Sequence, residues 1–216
     1  MGHVPHVLVE GPWKSDTLTL NESQSHHLGR VLRASPDDPV TYTDGMGVIG
    51  AGTLAGLGAI SRSQERTVPK PRPLDLAVAP PAGKDRARFL VEKLGELGVT
   101  RLLWLRTVHG SNRVPATERA RAWARAALEQ SLGAWLMEVG DALVDWTELE
   151  APIVACDPGS GSWAQPPRTV AIGPEGGWAP DEIPPEVPKW GLSPNVLRVE
   201  TAAIVGASLV LAREPH

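Results

Sequence analysis

The chain has 216 residues, a formal net charge of -4 and a single cysteine, Cys156. This length suits a small domain joined to a larger one. One cysteine excludes an internal disulfide framework, and Cys156 has no His or Cys neighbours at metal-ligand spacing, so we expect no metal site. The negative net charge argues against indiscriminate nucleic-acid binding, which depends on phosphate neutralisation, but leaves room for contacts by a few local arginines.

No basic and then apolar leader opens the sequence. The longest uncharged apolar run, residues 201–212, is shorter than the ~20 residues that a membrane-spanning helix needs. We therefore expect a soluble protein with no membrane partner, and the unpaired cysteine favours a reducing cytoplasm.

The first third of the chain predicts a small β-barrel. Short β-like pieces, "HVLVE", "DTLTL", "PVTYTD" and "VIGAGTLAG", are separated by turn residues, and one helical insert surrounds "SQSHHLGRVLR". The segment "PKPRP", residues 69–73, then has proline at every second position, which is typical of a stiff polyproline II spacer. These patterns predict one domain over residues 1–70 and a second over residues 71–216.

The second domain shows the alternating pattern of an α/β protein. The strands are "LDLAVA", "RLLWL", "PIVAC" and "RTVAIG", and the helices are residues 84–97 closed by Gly98, the segment "ERARAWARAALEQSL", and an apolar helix from about Ala202. Strands that alternate with helices imply a parallel sheet with helices on both faces. The middle helix repeats apolar residues at spacings of 3 and 4, which predicts a buried face made of Ala120, Trp123, Ala124, Ala127 and Leu128.

The segment "IGPEGGW", residues 172–178, places three glycines and one carboxylate directly after a buried strand. Ligands of open parallel sheets bind at the carboxyl ends of strands, and glycines there permit close backbone approach. Neither the Walker A spacing nor the dinucleotide spacing is present, and Glu175 would repel a pyrophosphate. The loop suits a flat ligand that is neutral or cationic near Glu175; the alternative is a tight turn without a ligand.

Two further segments favour a binding site over a plain turn. "NVLRVETAA" places Arg198, Glu200 and Thr201 at a charged junction before an apolar helix, although Glu200 or Thr201 could simply cap that helix. "EKLGELGV", residues 92–99, also carries charges, although these could form a solvated helix face.

Five motifs in this order, "HHLGRVLR", "VEKLGELGV", "ALEQS", "IGPEGGW" and "VLRVETAA", resemble the family that methylates N3 of a uridine in 16S ribosomal RNA. That family belongs to the SPOUT superfamily of knotted methyltransferases. The resemblance runs over nearly the whole chain, and "GPEGG" followed by "LRxETA" is its specific pair.

The resemblance implies an N-terminal PUA-like barrel that binds RNA and a C-terminal domain with a trefoil knot that holds S-adenosylmethionine. It also implies a homodimer that grips 16S RNA, or the small ribosomal subunit, across both subunits. By this resemblance the cofactor residues are Gly173, Pro174, Glu175, Gly176, Gly177, Leu192, Leu197 and Thr201. The RNA contacts are His27, Arg30, Arg33, Lys84, Arg86 and Arg113.

Methylation at N3 requires removal of the N3 proton and stabilisation of the resulting negative charge. We infer that Arg198 stabilises the developing anion, while Glu200 accepts the proton or orients Arg198. Two other functions stay open: a non-catalytic RNA-binding or ribosome-assembly module that keeps the fold, and a knotted methyltransferase acting on another RNA.

The sequence departs from the family where arginine is expected. His6, Gly133 and Asn195 stand at those positions, and each removes a fixed cation from a place expected to face RNA. Gly133 could also supply a left-handed cap after the preceding helix. In addition, Val199 replaces a threonine and Ser193 a glycine.

Overall fold

The computed structural model describes residues 4–163 and 165–213. They divide into two compact units. One unit holds the described residues up to Lys70 together with Leu128–Leu136, and the other holds Pro71–Ala127 and the described residues from Met137 onward. No sequence pattern indicated that residues 128–136 group with the N-terminal part of the chain.

The N-terminal unit is built on a five-stranded sheet. Its elements are β1 (His6–Leu8), β2 (Thr17–Thr19), α1 (Glu22–His26), β3 (Pro39–Thr43), β4 (Val48–Leu54) and β5 (Ala59–Thr67). The strand order is β1-β3-β4-β5-β2, and only the β1–β3 pair is parallel. Strand β5 was not predicted because its sequence, "AISRSQERT", is mostly polar and exposed.

The predicted helical insert begins with a reciprocal cap, in which the Asn21 side chain accepts from the Gln24 backbone and the Gln24 side chain accepts from the Asn21 backbone. It continues into one π-helical turn, His27–Val31, whose Leu28 is buried. This side chain joins the apolar core of the unit, which contains Val7, Leu18, Leu28, Val40, Tyr42, Leu54 and Ile60.

His6 is almost fully buried in the N-terminal unit, which argues against a direct contact of this side chain with RNA. Its side chain is only 6% exposed. The ring Nδ1 lies 2.8 Å from the Thr41 hydroxyl, and Nε2 donates to the Gly133 carbonyl at 3.1 Å. Burial lowers the pKa of His6, although the bond to Gly133 acts in the opposite direction. Both ring nitrogens of His6 therefore have partners within the unit.

Gly133 is not the left-handed residue that we expected after the preceding helix. That conformation belongs to Leu132, with φ of 57°. A Cβ at Gly133 would instead lie 2.6 Å from Cδ1 of Leu128, so a larger residue requires the end of that side chain to shift.

The second unit contains the predicted parallel sheet. Its elements are β6 (Asp75–Val78), α2 (Lys84–Leu97), β7 (Arg101–Leu105), α3 (Thr117–Gln130), β8 (Glu138–Val144), a 3-10 turn (Trp146–Glu148), β9 (Ile153–Cys156), β10 (Thr169–Ile172), β11 (Lys189–Trp190) and α4 (Val199–Leu211). The order is β11-β9-β10-β6-β7-β8, with every pair parallel. The edge strands β8 and β11 were not predicted.

The helices confirm most of the sequence interpretation. Helix α2 ends at Gly98, whose φ of 83° is the left-handed conformation that glycine adopts readily. All five residues of the predicted apolar face of α3 are buried. Helix α4 begins three residues earlier than the predicted Ala202, so Glu200 and Thr201 lie within its first turn. Among the described residues, no helix combines the length and the apolar character needed to cross a bilayer.

The buried His6 gives a prediction about pH. Because its pKa is lowered in the folded state, the unfolded chain takes up a proton first as the pH falls below about 6.5. We expect the unfolding free energy to decrease with acidification, and we expect His6→Gln to make this decrease smaller. Urea unfolding of both proteins between about pH 7.5 and pH 5.5 tests this. Equal pH dependence in the two proteins would show that His6 contributes nothing.

Candidate functional site

A pocket opens at the carboxyl edge of the parallel sheet. In the register of β9 and β10, Cys156 lies opposite Ile172, so the segments that follow these strands leave the sheet side by side. The pocket is lined by Asp157 and Pro158 from one segment and by Gly173 and Pro174 from the other. This is the edge where parallel α/β sheets bind their ligands.

The glycine segment forms a tight turn along the pocket wall. The Gly177 amide donates to the Pro174 carbonyl at 2.9 Å. Gly177 has φ of 73°, and a Cβ at this position would meet nothing within 4 Å. The glycine therefore provides both a left-handed backbone conformation and open space next to the chain.

The rest of the pocket wall is largely apolar. Ile172, Trp178, Trp190, Leu192, Leu197, Val199 and Ala202 contribute side chains to it. The thiol of Cys156 also lines the pocket, and burial raises its pKa to about 12. The thiol is therefore protonated and acts here as a small apolar group rather than as a nucleophile. Such a surface suits an aromatic or aliphatic ligand.

Side chains that the sequence analysis did not single out brace the glycine turn. His109 donates from Nδ1 to the Gly177 carbonyl at 3.1 Å. The indole of Trp178 donates to the Cys156 carbonyl at 2.9 Å. Glu182 accepts from the amides of Val108 and Ala179, each at 2.7 Å. Of these three residues, only Trp178 could have been found from the sequence, because it directly follows the two glycines.

The first turn of α4 brings the second predicted motif to the pocket. Arg198 is the N-cap residue and has an exposed side chain, while its neighbours Leu197 and Val199 line the pocket. Glu200 is buried in the same turn. A carboxylate at this end of a helix is favoured by the helix dipole.

Arg86 of α2 bridges this turn and the glycine turn. Its Nη2 donates to Glu200 Oε2 at 2.5 Å and its Nε to Glu200 Oε1 at 3.1 Å. Its Nη1 lies 2.5 Å from Oε1 of Glu175. Burial, the largest single influence, would raise the pKa of Glu200. The hydrogen bonds from Arg86, a backbone hydrogen bond, and the charges of Arg86 and Arg198 together outweigh burial and lower this pKa. Glu200 is therefore a stable carboxylate and a weak proton acceptor.

The pocket gathers six of the eight predicted cofactor residues, which are Gly173, Pro174, Glu175, Gly177, Leu192 and Leu197. Gly176 and Thr201 lie outside this lining. A Cβ at Gly176 would lie 2.9 Å from the Cβ of His109, so this glycine permits close packing of two loops. Thr201 is exposed on the first turn of α4. Three residues that depart from the family pattern, Ser193, Asn195 and Val199, also line the pocket.

The predicted RNA-binding residues fall into separate groups. His27, Arg30 and Arg33 are exposed in the N-terminal unit. In the second unit, Lys84 and Arg113 line a further pocket together with Arg119 and Trp123. Arg86, by contrast, is engaged by two carboxylates. In the part of the chain that the structure describes, no group of three or more His, Cys, Asp or Glu residues is arranged to hold a metal ion.

Comparison with known proteins identifies the class to which this fold and pocket belong. Residues 68–211 match the family model of the RNA methyltransferase domain. The chain belongs to this family. It is also 29% identical to the ribosomal RNA small subunit methyltransferase E of Synechocystis sp., over 91% of this chain and 73% of that protein.

Solved structures share the fold over nearly the full length. The ribosomal RNA small subunit methyltransferase E of Neisseria gonorrhoeae, bound to S-adenosyl methionine, has a TM-score of 0.84 and 22% identity, covering 97% of this chain and 98% of that one. A Legionella pneumophila protein in complex with the cofactor SAM has a TM-score of 0.86 and 23% identity at the same coverage. At this level of identity the likeness establishes the fold.

Proposed function

We propose that this protein is an S-adenosylmethionine-dependent methyltransferase that methylates N3 of a uridine in the 16S RNA of the small ribosomal subunit. The observation that carries the proposal is the pocket between the Gly173–Gly177 turn and the start of α4, in a chain of the RNA methyltransferase domain family. The small-subunit RNA methyltransferase of Synechocystis supports the choice of substrate. Such a substrate would place the protein in the cytoplasm.

The pocket residues fit S-adenosylmethionine in shape and charge. The flat adenine would pack against the apolar wall that includes Leu192 and Leu197, and the glycine turn would approach it by backbone alone. Glu175 and Asp157 also line the pocket. Their carboxylates pair with Arg86 and Lys189, so the pocket suits a cationic ligand group only where these carboxylates keep a free oxygen. When bound, the cofactor supplies an electrophilic methyl group on a sulfonium.

The protein's own residues must then prepare the uridine. The N3 proton has to leave, and negative charge develops on the ring. Arg198 is exposed and adjacent to two pocket-lining residues, and in this proposal its guanidinium stabilises that charge. The pairing of Glu200 with Arg86 favours a supporting electrostatic role for Glu200 over proton acceptance.

The finer features of the fold belong to the same proposal. We assign a PUA-like RNA-binding role to the N-terminal unit and a trefoil knot to the C-terminal part of the second unit. The strand β11 lies beyond β9 at the sheet edge, and α4 then packs back onto β10 and β6. We propose that the knot forms where the chain returns across the sheet between β11 and α4.

We also propose a homodimer, because α4 presents an apolar outer face. From Thr201 to Ala212 the helix carries no charged residue, and Leu209 is 40% exposed. Phe89, on the neighbouring helix α2, is 45% exposed. A second copy of the chain would cover these side chains. Sedimentation equilibrium measures the oligomeric state directly. A monomer at all protein concentrations would contradict the proposal.

Two measurements test the function. Calorimetry with S-adenosylmethionine should show binding; its absence in folded protein would leave a non-catalytic RNA-binding or ribosome-assembly module. Mass spectrometry of 16S RNA nucleosides from a deletion strain should show loss of N3-methyluridine, restored by the gene. An intact N3-methyluridine level beside the loss of another methylated nucleoside would identify a different RNA target.

Gly177→Val should abolish cofactor binding while the protein keeps a cooperative melt. A branched side chain would occupy the open space beside the turn and cannot easily adopt the left-handed backbone conformation. Gly56→Val is the matched control, because Gly56 has φ of 69° and open space in the N-terminal unit. Calorimetry on both variants checks the prediction. Wild-type affinity in Gly177→Val would mean that the turn does not contact the cofactor.

Arg198→Ala should lower turnover by about 10²-fold with little change in cofactor affinity, since it would stabilise charge that exists mainly in the transition state. Methyl transfer to unmethylated small subunits measures turnover, and calorimetry measures cofactor affinity. Weaker cofactor binding at an unchanged rate would instead make Arg198 a cofactor-binding residue.

A further inference from the structure

The family resemblance assigns Arg86 as an RNA contact, but the residues around it indicate a different role. The guanidinium uses Nε, Nη1 and Nη2 on two carboxylates that come from different parts of the chain. Glu175 belongs to the glycine turn, and Glu200 belongs to the first turn of α4. Both turns border the same pocket.

The two carboxylates differ in what they need from Arg86. The Glu200 side chain is only 9% exposed, so it depends on Arg86 for compensation of its charge. The Glu175 side chain is 42% exposed and could be solvated by water. Water would, however, leave the turn free to move. The ion pair to Glu175 restrains the turn relative to a buried, fixed group.

We propose that Arg86 is a positioning residue, which holds the Gly173–Gly177 turn in its ligand-binding conformation by linking Glu175 to the buried Glu200. The inference rests on the proposed cofactor function. Arginine suits this task because its planar fork can hydrogen-bond to two carboxylates at once. The lysine ammonium is a point charge and would serve only one of them well.

The proposal separates Arg86 from the other cations predicted to bind RNA. Lys84 and Arg113 line a pocket and have no ion pair among the described residues, so they stay available to a phosphate. Arg86 already directs three of its five N–H groups to two carboxylates, which leaves less of the guanidinium for a phosphate. Its loss should therefore act on the cofactor turn rather than on RNA affinity.

The test compares Arg86→Met and Arg86→Lys with the matched control Arg88→Met. Arg88 lies on the same helix, and among the described residues its ion pair is with Glu92. Three readings are taken: amide hydrogen exchange in the peptide covering residues 173–178, cofactor affinity by calorimetry, and RNA affinity at several salt concentrations.

We expect Arg86→Met to accelerate exchange in the turn while exchange in β7 is unchanged. If the turn is then competent in about a tenth of the molecules, cofactor affinity falls about tenfold. Arg86→Lys should recover part of this loss, and Arg88→Met should behave as wild type. The slope of log RNA affinity against log salt should be unchanged in all three variants.

The opposite pattern overturns the proposal. A salt slope reduced by about 0.7 to 0.9 in Arg86→Met, with unchanged exchange and cofactor affinity, would make Arg86 a phosphate contact. An equal effect of Arg88→Met would make the result a general consequence of lost charge. If Arg86→Met does not fold, Arg86→Met/Glu200→Met removes the uncompensated buried carboxylate and takes its place.

The exchange measurement also separates this proposal from the proposed function. Wild-type protein that binds no S-adenosylmethionine would refute the cofactor function. The restraint of the turn by Arg86 would still be decided by exchange in the ligand-free proteins, since faster exchange supports it and unchanged exchange refutes it.

Discussion

The register of three buried parallel strands is the constraint on which the functional site depends. Ile172 at the end of β10 lies opposite both Val78 of β6 and Cys156 of β9. Because parallel strands all point the same way, the segments after them emerge at one edge of the sheet. Segments that are distant in sequence thus become neighbours, and the pocket wall is assembled from them. A shift of one residue in this register would turn the buried side chains to the opposite face.

The glycine turn, which forms one wall of the pocket, presents backbone rather than side chains. Gly177 permits the turn, and Gly176 permits the close approach of His109. A turn with so little side chain has few packing contacts of its own, so its conformation has to be imposed by neighbours. His109, Trp178 and Glu182 do this through hydrogen bonds, and Arg86 does it through charge. The bracing groups are thus as much a part of the site as the lining.

The three positions where the family has arginine lie in different surroundings in this protein. His6 is buried and bonded to Gly133, while a side chain at Gly133 would meet the end of the Leu128 side chain. These two positions belong to one interior contact in the N-terminal unit. Asn195 instead lies at the pocket of the second unit. A shared loss of RNA affinity, inferred from three missing arginines, therefore does not follow from where the residues lie.

The sequence by itself determined the α/β class, the parallel strands of the second unit, the cap at Gly98 and the glycine turn, because each depends on local pattern or on burial along a single element. It did not indicate β5, β8 or β11, whose polar or short segments become strands only through pairing. It also did not show that Arg86, Glu175 and Glu200 form one cluster. Their contact depends on how α2, the turn after β10 and α4 pack around the sheet, and only the tertiary structure decides that.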